Sequence, residues 1–74
     1  MDSFTLKAKG VAFPSFSFGP NHDGETVQVT HHYLDVSRDS ENLKVLRRRT
    51  DTLSIDTARK LYGALQSVGF KLKD

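Results

Sequence analysis

The segment SIDTARKLYGALQSVGF (residues 54–70) has the apolar spacing of an amphipathic α-helix. Ser54 is a good N-cap, and Asp56 places negative charge in the first turn, where the helix dipole favours it. Gly69 stands where a left-handed C′ residue ends a helix, with Phe70 behind it. The apolar side chains fall within one arc of about 140° on a 3.6-residue wheel. They are Ile55, Ala58, Leu61, Tyr62, Leu65 and Val68.

Upstream of this helix the sequence predicts strands. Residues 26–36 (TVQVTHHYLDV) are rich in β-branched and aromatic side chains, and residues 43–52 (LKVLRRRTDT) predict the next strand. Residues 4–9 alternate apolar and polar side chains with the period of a strand that has one solvated face. A short extended segment lies between residues 4–9 and residues 26–36, and Phe16 and Phe18 share one face of it.

These elements predict an α+β fold with residues 1–74 as a single small domain. We expect an antiparallel sheet of three to four strands, with one C-terminal amphipathic helix packed on one face. Residues 71–73 form a tail that either pairs with a sheet edge or frays. The expected core is Phe4, Leu6, Val29, Leu34, Val45, Ile55, Ala58, Leu61, Tyr62, Leu65, Val68 and Phe70.

The register of the predicted hairpin follows from matching side chains across the two long strands. The best match sets Val36 opposite Leu43 and Asp35 opposite Lys44, because opposite charges and apolar pairs stabilise neighbouring strands. This register divides the apolar residues between both faces of the hairpin. Either both faces are partly covered, or a bulge near residues 31–33 reverses the pattern.

Composition excludes several classes of protein. The chain has no cysteine, so disulfides and thiolate metal sites are excluded and a cytoplasmic location is expected. No apolar run approaches the roughly 18 residues of a membrane span, so we expect no membrane partner. The three histidines do not form a chelating cluster, because His31 and His32 are adjacent on a strand and point to opposite faces. We therefore expect no metal and no cofactor.

Charge is distributed unevenly along the chain. Residues 1–43 hold three basic and six acidic side chains, whereas residues 44–74 hold eight basic and three acidic ones. A basic half attracts anionic partners, so an acidic protein surface or a nucleic acid is the expected partner. An unpaired sheet edge would also offer a route to a homodimer.

The first candidate binding residues are Arg47, Arg48 and Arg49. Guanidinium groups bind carboxylates and phosphates well, but alternation along a strand points Arg48 away from the other two. The predicted register places His32 and Thr30 opposite Arg47 and Arg49, which would form a polar patch for an anion. The alternative is a solvated edge strand whose charges discourage aggregation.

The second candidate is the polar face of the helix. Arg59 and Lys60 lie there beside Gly63. Glycine inside an exposed helix costs about 1 kcal/mol relative to alanine, so Gly63 suggests close approach of a partner. The alternative is a packing contact with a neighbouring loop, or simple tolerance of the glycine.

Phe13, Phe16 and Phe18 have two interpretations. They could stack on single-stranded bases, but a domain this small needs its aromatic side chains in the core. The sequence lacks a nucleophile elbow and a glycine-rich phosphate loop, so we expect no enzyme. The preferred function is a small non-catalytic protein-interaction or regulatory module that binds an acidic partner through its basic strand and helix surface. The alternative is a nucleic-acid-binding protein with little sequence specificity.

Overall fold

The computed structural model describes residues 3–36, with only the backbone at residue 36, and residues 44–73. Five strands and one helix lie in this part of the chain. They are β1 (Phe4–Ala8), β2 (Ser15–Pro20), β3 (Thr26–Val36), β4 (Lys44–Ser54), α1 (Ile55–Ser67) and β5 (Phe70–Leu72). The strands form one antiparallel sheet in the order β4-β3-β2-β1-β5.

The predicted α+β class is confirmed, but two details were wrong. The sheet has five strands rather than three to four, and the helix is not C-terminal, because the chain returns as β5 and pairs with β1. Gly69 makes this return possible with a φ of +100°, a conformation that favours glycine. Phe70 then packs edge-on against Phe16, with ring centroids 5.5 Å apart.

The helix begins as predicted from its capping residues. Ser54 Oγ accepts a hydrogen bond from the Thr57 backbone N–H at 3.2 Å, which satisfies one of the free donors of the first turn. At the other end Val68 is the C-cap, and the Gly69 N–H donates to the Gln66 carbonyl at 3.1 Å. Local sequence therefore sets both ends of this helix.

The predicted hairpin register was wrong by one residue. Val36 pairs with Lys44, Tyr33 pairs with Arg47, and the ladder runs unbroken to Thr26 without a bulge. This register sets Val27 opposite Leu53 on the side that the helix covers. Burial at the helix end of the hairpin therefore outweighs the side-chain matches near the loop. Leu43, the predicted partner of Val36, lies outside the described residues.

The core lies between the helix and one face of the sheet. Its buried residues are Leu6, Phe18, Val27, Val29, Ala58 and Leu65. Phe4, Phe16, Leu53, Ile55, Leu61, Tyr62 and Phe70 pack around them. Three predicted core residues are instead exposed, at 47% for Leu34, 37% for Val45 and 72% for Val68.

Part of the hairpin extends beyond the rest of the sheet. β2 pairs with β3 only as far as His32, so residues 33–36 and 44–47 pair with each other alone. We call these residues the arm. Both Leu34 and Val45 are exposed because they lie in the arm: Val45 points to the side of the helix but beyond its reach, and Leu34 points to the opposite side of the sheet. The described chain is correspondingly elongated, at 43 × 23 × 19 Å.

Candidate functional site

The two faces of the sheet differ in what covers them. The helix packs on the face that carries Leu6, Phe18 and Val29, which we call the helix-side face. Alternate residues of each strand point to the opposite side, where the described chain places no helix or further strand. We call this opposite side the open face. Its side chains are the candidate contact surface.

One transverse row of the open face is basic. Strand pairing places Lys71 beside Lys7, Lys7 beside Ser15, Ser15 beside His32, and His32 beside Arg48. Adjacent strands are about 4.8 Å apart, so this row spans the full width of the sheet. Ser15 is buried in its middle, which leaves basic groups on both sides of it.

The next row carries hydroxyl groups. Thr5, Ser17, Thr30 and Thr50 follow one another across β1 to β4. The Thr5 and Ser17 hydroxyls are 3.0 Å apart, and the Thr30 and Thr50 hydroxyls are 3.3 Å apart. Hydroxyls both donate and accept hydrogen bonds, so this row can contact polar groups of either kind.

None of the described acidic residues lies on the open face. Asp35 and Asp51 point to the helix-side face, because they share the parity of Val29 and Leu53 along their strands. Asp23 and Glu25 belong to the β2–β3 turn, and Asp56 belongs to the helix. Among residues 3–36 and 44–73, the charged side chains of the open face are therefore all positive, namely Lys7, Lys44, Arg48 and Lys71.

The predicted anion patch around Arg47 and Arg49 does not form. The one-residue change in register moves both guanidinium groups to the helix-side face, opposite Tyr33 and His31. His32 instead pairs with Arg48, and Thr30 pairs with Thr50. The prediction that Arg48 points away from its two neighbours holds in this geometry.

Carboxylates of the same face neutralise these two arginines. Arg47 Nε donates to Asp35 Oδ2 at 2.8 Å, and Arg49 Nε lies 3.5 Å from Asp51 Oδ2. All four side chains are more than half exposed, so these ion pairs add little stability. They do reduce the positive charge that Arg47 and Arg49 present to a partner.

The helix presents Arg59, Lys60 and Gly63 to solvent, away from the open face. A Cβ built at Gly63 would meet no atom within 4 Å, so a packing contact does not explain this glycine. Arg59 also lines an apolar groove of about 370 Å³ between the helix and the sheet. Phe4, Ile55 and Tyr62 are among the other side chains of that groove.

Aromatic rings form a row on the helix-side face. Phe16 stacks on His31 with ring centroids 4.3 Å apart, and His31 lies 4.9 Å from Tyr33. Burial lowers the pKa of His31, and the nearby His32 and Arg49 lower it further. His31 is therefore favoured in its neutral form. Phe18 is buried in the core and Phe16 packs against it, as the core interpretation expected, whereas Phe13 is half-buried outside that cluster.

The β2–β3 turn is held by one carboxylate. Asp23 Oδ1 accepts from the backbone N–H groups of Glu25 and Thr26 at 2.9 and 3.0 Å, and Oδ2 accepts from the Thr26 hydroxyl at 2.7 Å. These hydrogen bonds stabilise the ionised form and lower the pKa of Asp23. Asp23 therefore serves the turn and is not an acidic group of the open face.

Within residues 3–36 and 44–73, no three histidine or acidic side chains lie close enough together to hold a metal ion. The helix of this same part of the chain is too short and too polar to cross a membrane.

Sequence reasoning counted Lys71 among the basic groups that would contact phosphates in the nucleic-acid alternative, but it did not place Lys71 and Lys7 together in one row. The alternation in β1 did predict that Lys7 lies on a solvated face. Its alignment with Lys71 depends on the pairing of β5 with β1, which joins the two ends of the chain. No local pattern could have found that contact.

No protein-family model matches this chain, and comparison with curated protein sequences and with solved structures gives no significant match.

Proposed function

We propose that this chain is a small non-catalytic protein-interaction module that binds an acidic protein surface through its open face. The observation that supports this most directly is that the described strands carry acidic side chains on the helix-side face alone, whereas basic ones lie on both faces. Lys7, His32, Arg48 and Lys71 share one row, whereas Asp35 and Asp51 lie on the other face. Complementary charge speeds and orients docking and penalises partners of the same sign.

The chemistry of the open face favours a protein partner over single-stranded nucleic acid. Nonspecific binding of single strands relies on aromatic side chains that stack on bases. The described aromatic residues of the strands point to the helix-side face, where Phe16, Phe18 and Tyr33 contact other rings. The open face offers hydroxyls and cations, which suit the carboxylates and backbone groups of an acidic protein. The absence of cysteine is the reason to place this interaction in the cytoplasm.

The test compares two double variants with the same change in net charge. Lys7→Glu/Arg48→Glu reverses charge on the open face, and Arg59→Glu/Lys60→Glu reverses it on the helix. The probes are a fluorescein-labelled peptide of alternating Glu and Asp, and a labelled single-stranded oligonucleotide of mixed sequence. Fluorescence anisotropy measures binding, and circular dichroism checks that each variant is folded.

We expect the open-face variant to bind the acidic peptide at least about tenfold more weakly than the unmodified chain, a loss of about 1.4 kcal/mol. The helix variant should stay within about twofold. Equal losses in both variants would mean that net charge alone drives binding, and would refute the assignment to the open face. Tighter binding of the oligonucleotide than of the peptide would favour the nucleic-acid alternative.

Affinity capture from native lysate identifies the natural partner. The bait is the unmodified chain, with the open-face variant as control and with nuclease added to half of each sample. A protein that is retained by the unmodified chain after nuclease, and lost with the variant, is the expected result. Capture that disappears on nuclease treatment would count against a protein partner.

A further inference from the structure

β4 is an unusually long free edge for so small a sheet. It has eleven residues, it lies at the end of the strand order, and ten of the eleven are exposed. Every second residue of an edge strand points its N–H and C=O groups away from the sheet, where another strand can pair with them. The opposite edge, β5, has only three residues.

The charges of β4 do not protect this edge as edge charges often do. Positive side chains usually keep other strands away from a free edge by repulsion. Here Arg47 and Arg49 are each paired with a carboxylate of their own chain. The local sequence Arg49-Thr50-Asp51 also places opposite charges symmetrically around one residue. This arrangement complements itself when the strand is turned through 180°.

The arm provides an independent reason to expect a partner along β4. A two-stranded ribbon alone is marginally stable in water. The arm nevertheless exposes three large apolar side chains, with Leu34 at 47%, Val45 at 37% and Leu46 at 51%. A further strand beside β4 would give the base of the arm a third strand and reduce the exposure of Leu46.

We propose that two copies of this chain form a dimer in which the β4 strands pair antiparallel, with Thr50 opposite the partner's Thr50. The symmetry axis is then perpendicular to the sheet, and residues that face each other belong to the same face. Arg49 lies opposite the partner's Asp51, and this pair occurs twice. Such cross-strand pairs each stabilise a sheet by about 0.2–1 kcal/mol.

The neighbouring registers centred on Arg48, Arg49 or Asp51 are less favourable. Centring the pairing on Arg48 or Arg49 sets that arginine against itself, and centring it on Asp51 sets two carboxylates against each other. Like charges directly opposite each other destabilise paired strands. The register centred on Thr50 avoids these contacts and pairs residues 46–54 of both copies. Leu46 and Arg47, at the base of the arm, are included.

This dimer would contain one continuous sheet of ten strands. The perpendicular axis places both helices on one side and both open faces on the other. The two basic rows would then form one extended surface. Dimer formation does not depend on the proposed acidic partner, because the edge of β4 and the open face use different groups.

Cysteine crosslinking tests the register directly. The chain has no native cysteine, so a single Thr50→Cys substitution gives an unambiguous product. Opposed residues in antiparallel strands have Cα atoms about 4.5–5.5 Å apart, which lies in the range of a disulfide. Thr52→Cys is the matched control on the same face. In this register the two copies of residue 52 are about 13 Å apart along the strands, which is too far for a disulfide.

We expect Thr50→Cys to form a covalent dimer under mild oxidation and Thr52→Cys to remain monomeric on denaturing gels. Analytical ultracentrifugation of the unmodified chain should show a concentration-dependent dimer. A monomer at every concentration would overturn the proposal. It would do so even if the edge of β4 pairs with a strand of a different protein. Equal crosslinking of both cysteine variants would overturn the register.

Charge exchange tests the pair of Arg49 and Asp51. Arg49→Asp alone and Asp51→Arg alone each set like charges opposite each other, and we expect the dimer dissociation constant to rise about tenfold in each. The double variant Arg49→Asp/Asp51→Arg should restore it. Arg48→Asp is the control, because Arg48 faces the partner's Thr52, and it should leave the dissociation constant within about threefold. Failure of the double variant to recover would refute the proposed contact.

Discussion

Leu6 is the residue on which the stability of this domain should depend most directly. It is completely buried in the central part of β1, with Phe16 opposite it on β2 and Leu72 opposite it on β5. Leu6→Ala removes three carbon atoms, which costs about 2.4 kcal/mol in lost transfer free energy at about 0.8 kcal/mol per carbon. The cavity that remains adds to this loss. Leu→Ala at a fully buried position usually lowers the free energy of unfolding by about 3–5 kcal/mol in total.

Leu34→Ala is the matched control, because it makes the same chemical change at a position that is 47% exposed. About half of the transfer term applies there, with no cavity, so we expect a loss of about 1 kcal/mol. Urea unfolding monitored by circular dichroism measures the free energy of unfolding of both variants. The comparison is valid when both variants have the same m-value.

A chain of this length has a total stability of about 4–11 kcal/mol, so Leu6→Ala should remove a large fraction of it. The expected difference between the two variants is about 2 kcal/mol or more. Equal losses in the two variants would refute the assignment of the core to the helix-side face. If Leu6→Ala unfolds the chain outright, Leu6→Val replaces it. The expected loss in the free energy of unfolding is then about 1 kcal/mol.

Three further predictions concern the helix and His31. Ser54→Ala removes the N-cap hydrogen bond to Thr57 and should lower the free energy of unfolding by about 1 kcal/mol, whereas Ser54→Asp should retain most of it. Gly63→Ala should raise the free energy of unfolding by about 1 kcal/mol, because its Cβ meets no neighbour; a loss of stability in urea unfolding would contradict this. The lowered pKa of His31 means that the unfolded chain binds a proton more readily than the folded chain. Stability should therefore be full above the ordinary histidine pKa of about 6.5 and fall as pH drops through it. His31→Phe should flatten this part of the pH profile of the urea midpoint, and an unchanged slope would count against burial as the cause.

The alternation of side chains along β4 decides which face of the sheet each arginine occupies. Arg47, Arg48 and Arg49 are consecutive, and a plot of charge along the chain shows them as one cluster. In the sheet, two of them join carboxylates on the helix-side face, and Arg48 joins His32 on the open face. Some of the late basic side chains are thus neutralised, while others gather with Lys7 from the start of the chain. The basic surface comes from both halves of the sequence.

Local sequence alone determined the helix, its two ends and the approximate position of four strands. Ser54 and Gly69 act through their own neighbours, and the apolar spacing from Ile55 to Val68 depends only on helical geometry. The α+β class and most of the core residues followed from the same short-range patterns. Val68 was misplaced because the last turn of an amphipathic stripe need not contact the sheet, and here it is 72% exposed.

Tertiary structure decided the features that require distant residues to meet. The hairpin register depends on burying Val27 and Leu53 under the helix, and a shift of one residue moved Arg47 and Arg49 to the other face. The fifth strand depends on the pairing of residues 70–72 with β1, across almost the whole length of the chain. The basic row and the long free edge of β4 both result from these long-range contacts, whose free energy comes from burial over the entire sheet and is not encoded in any short segment.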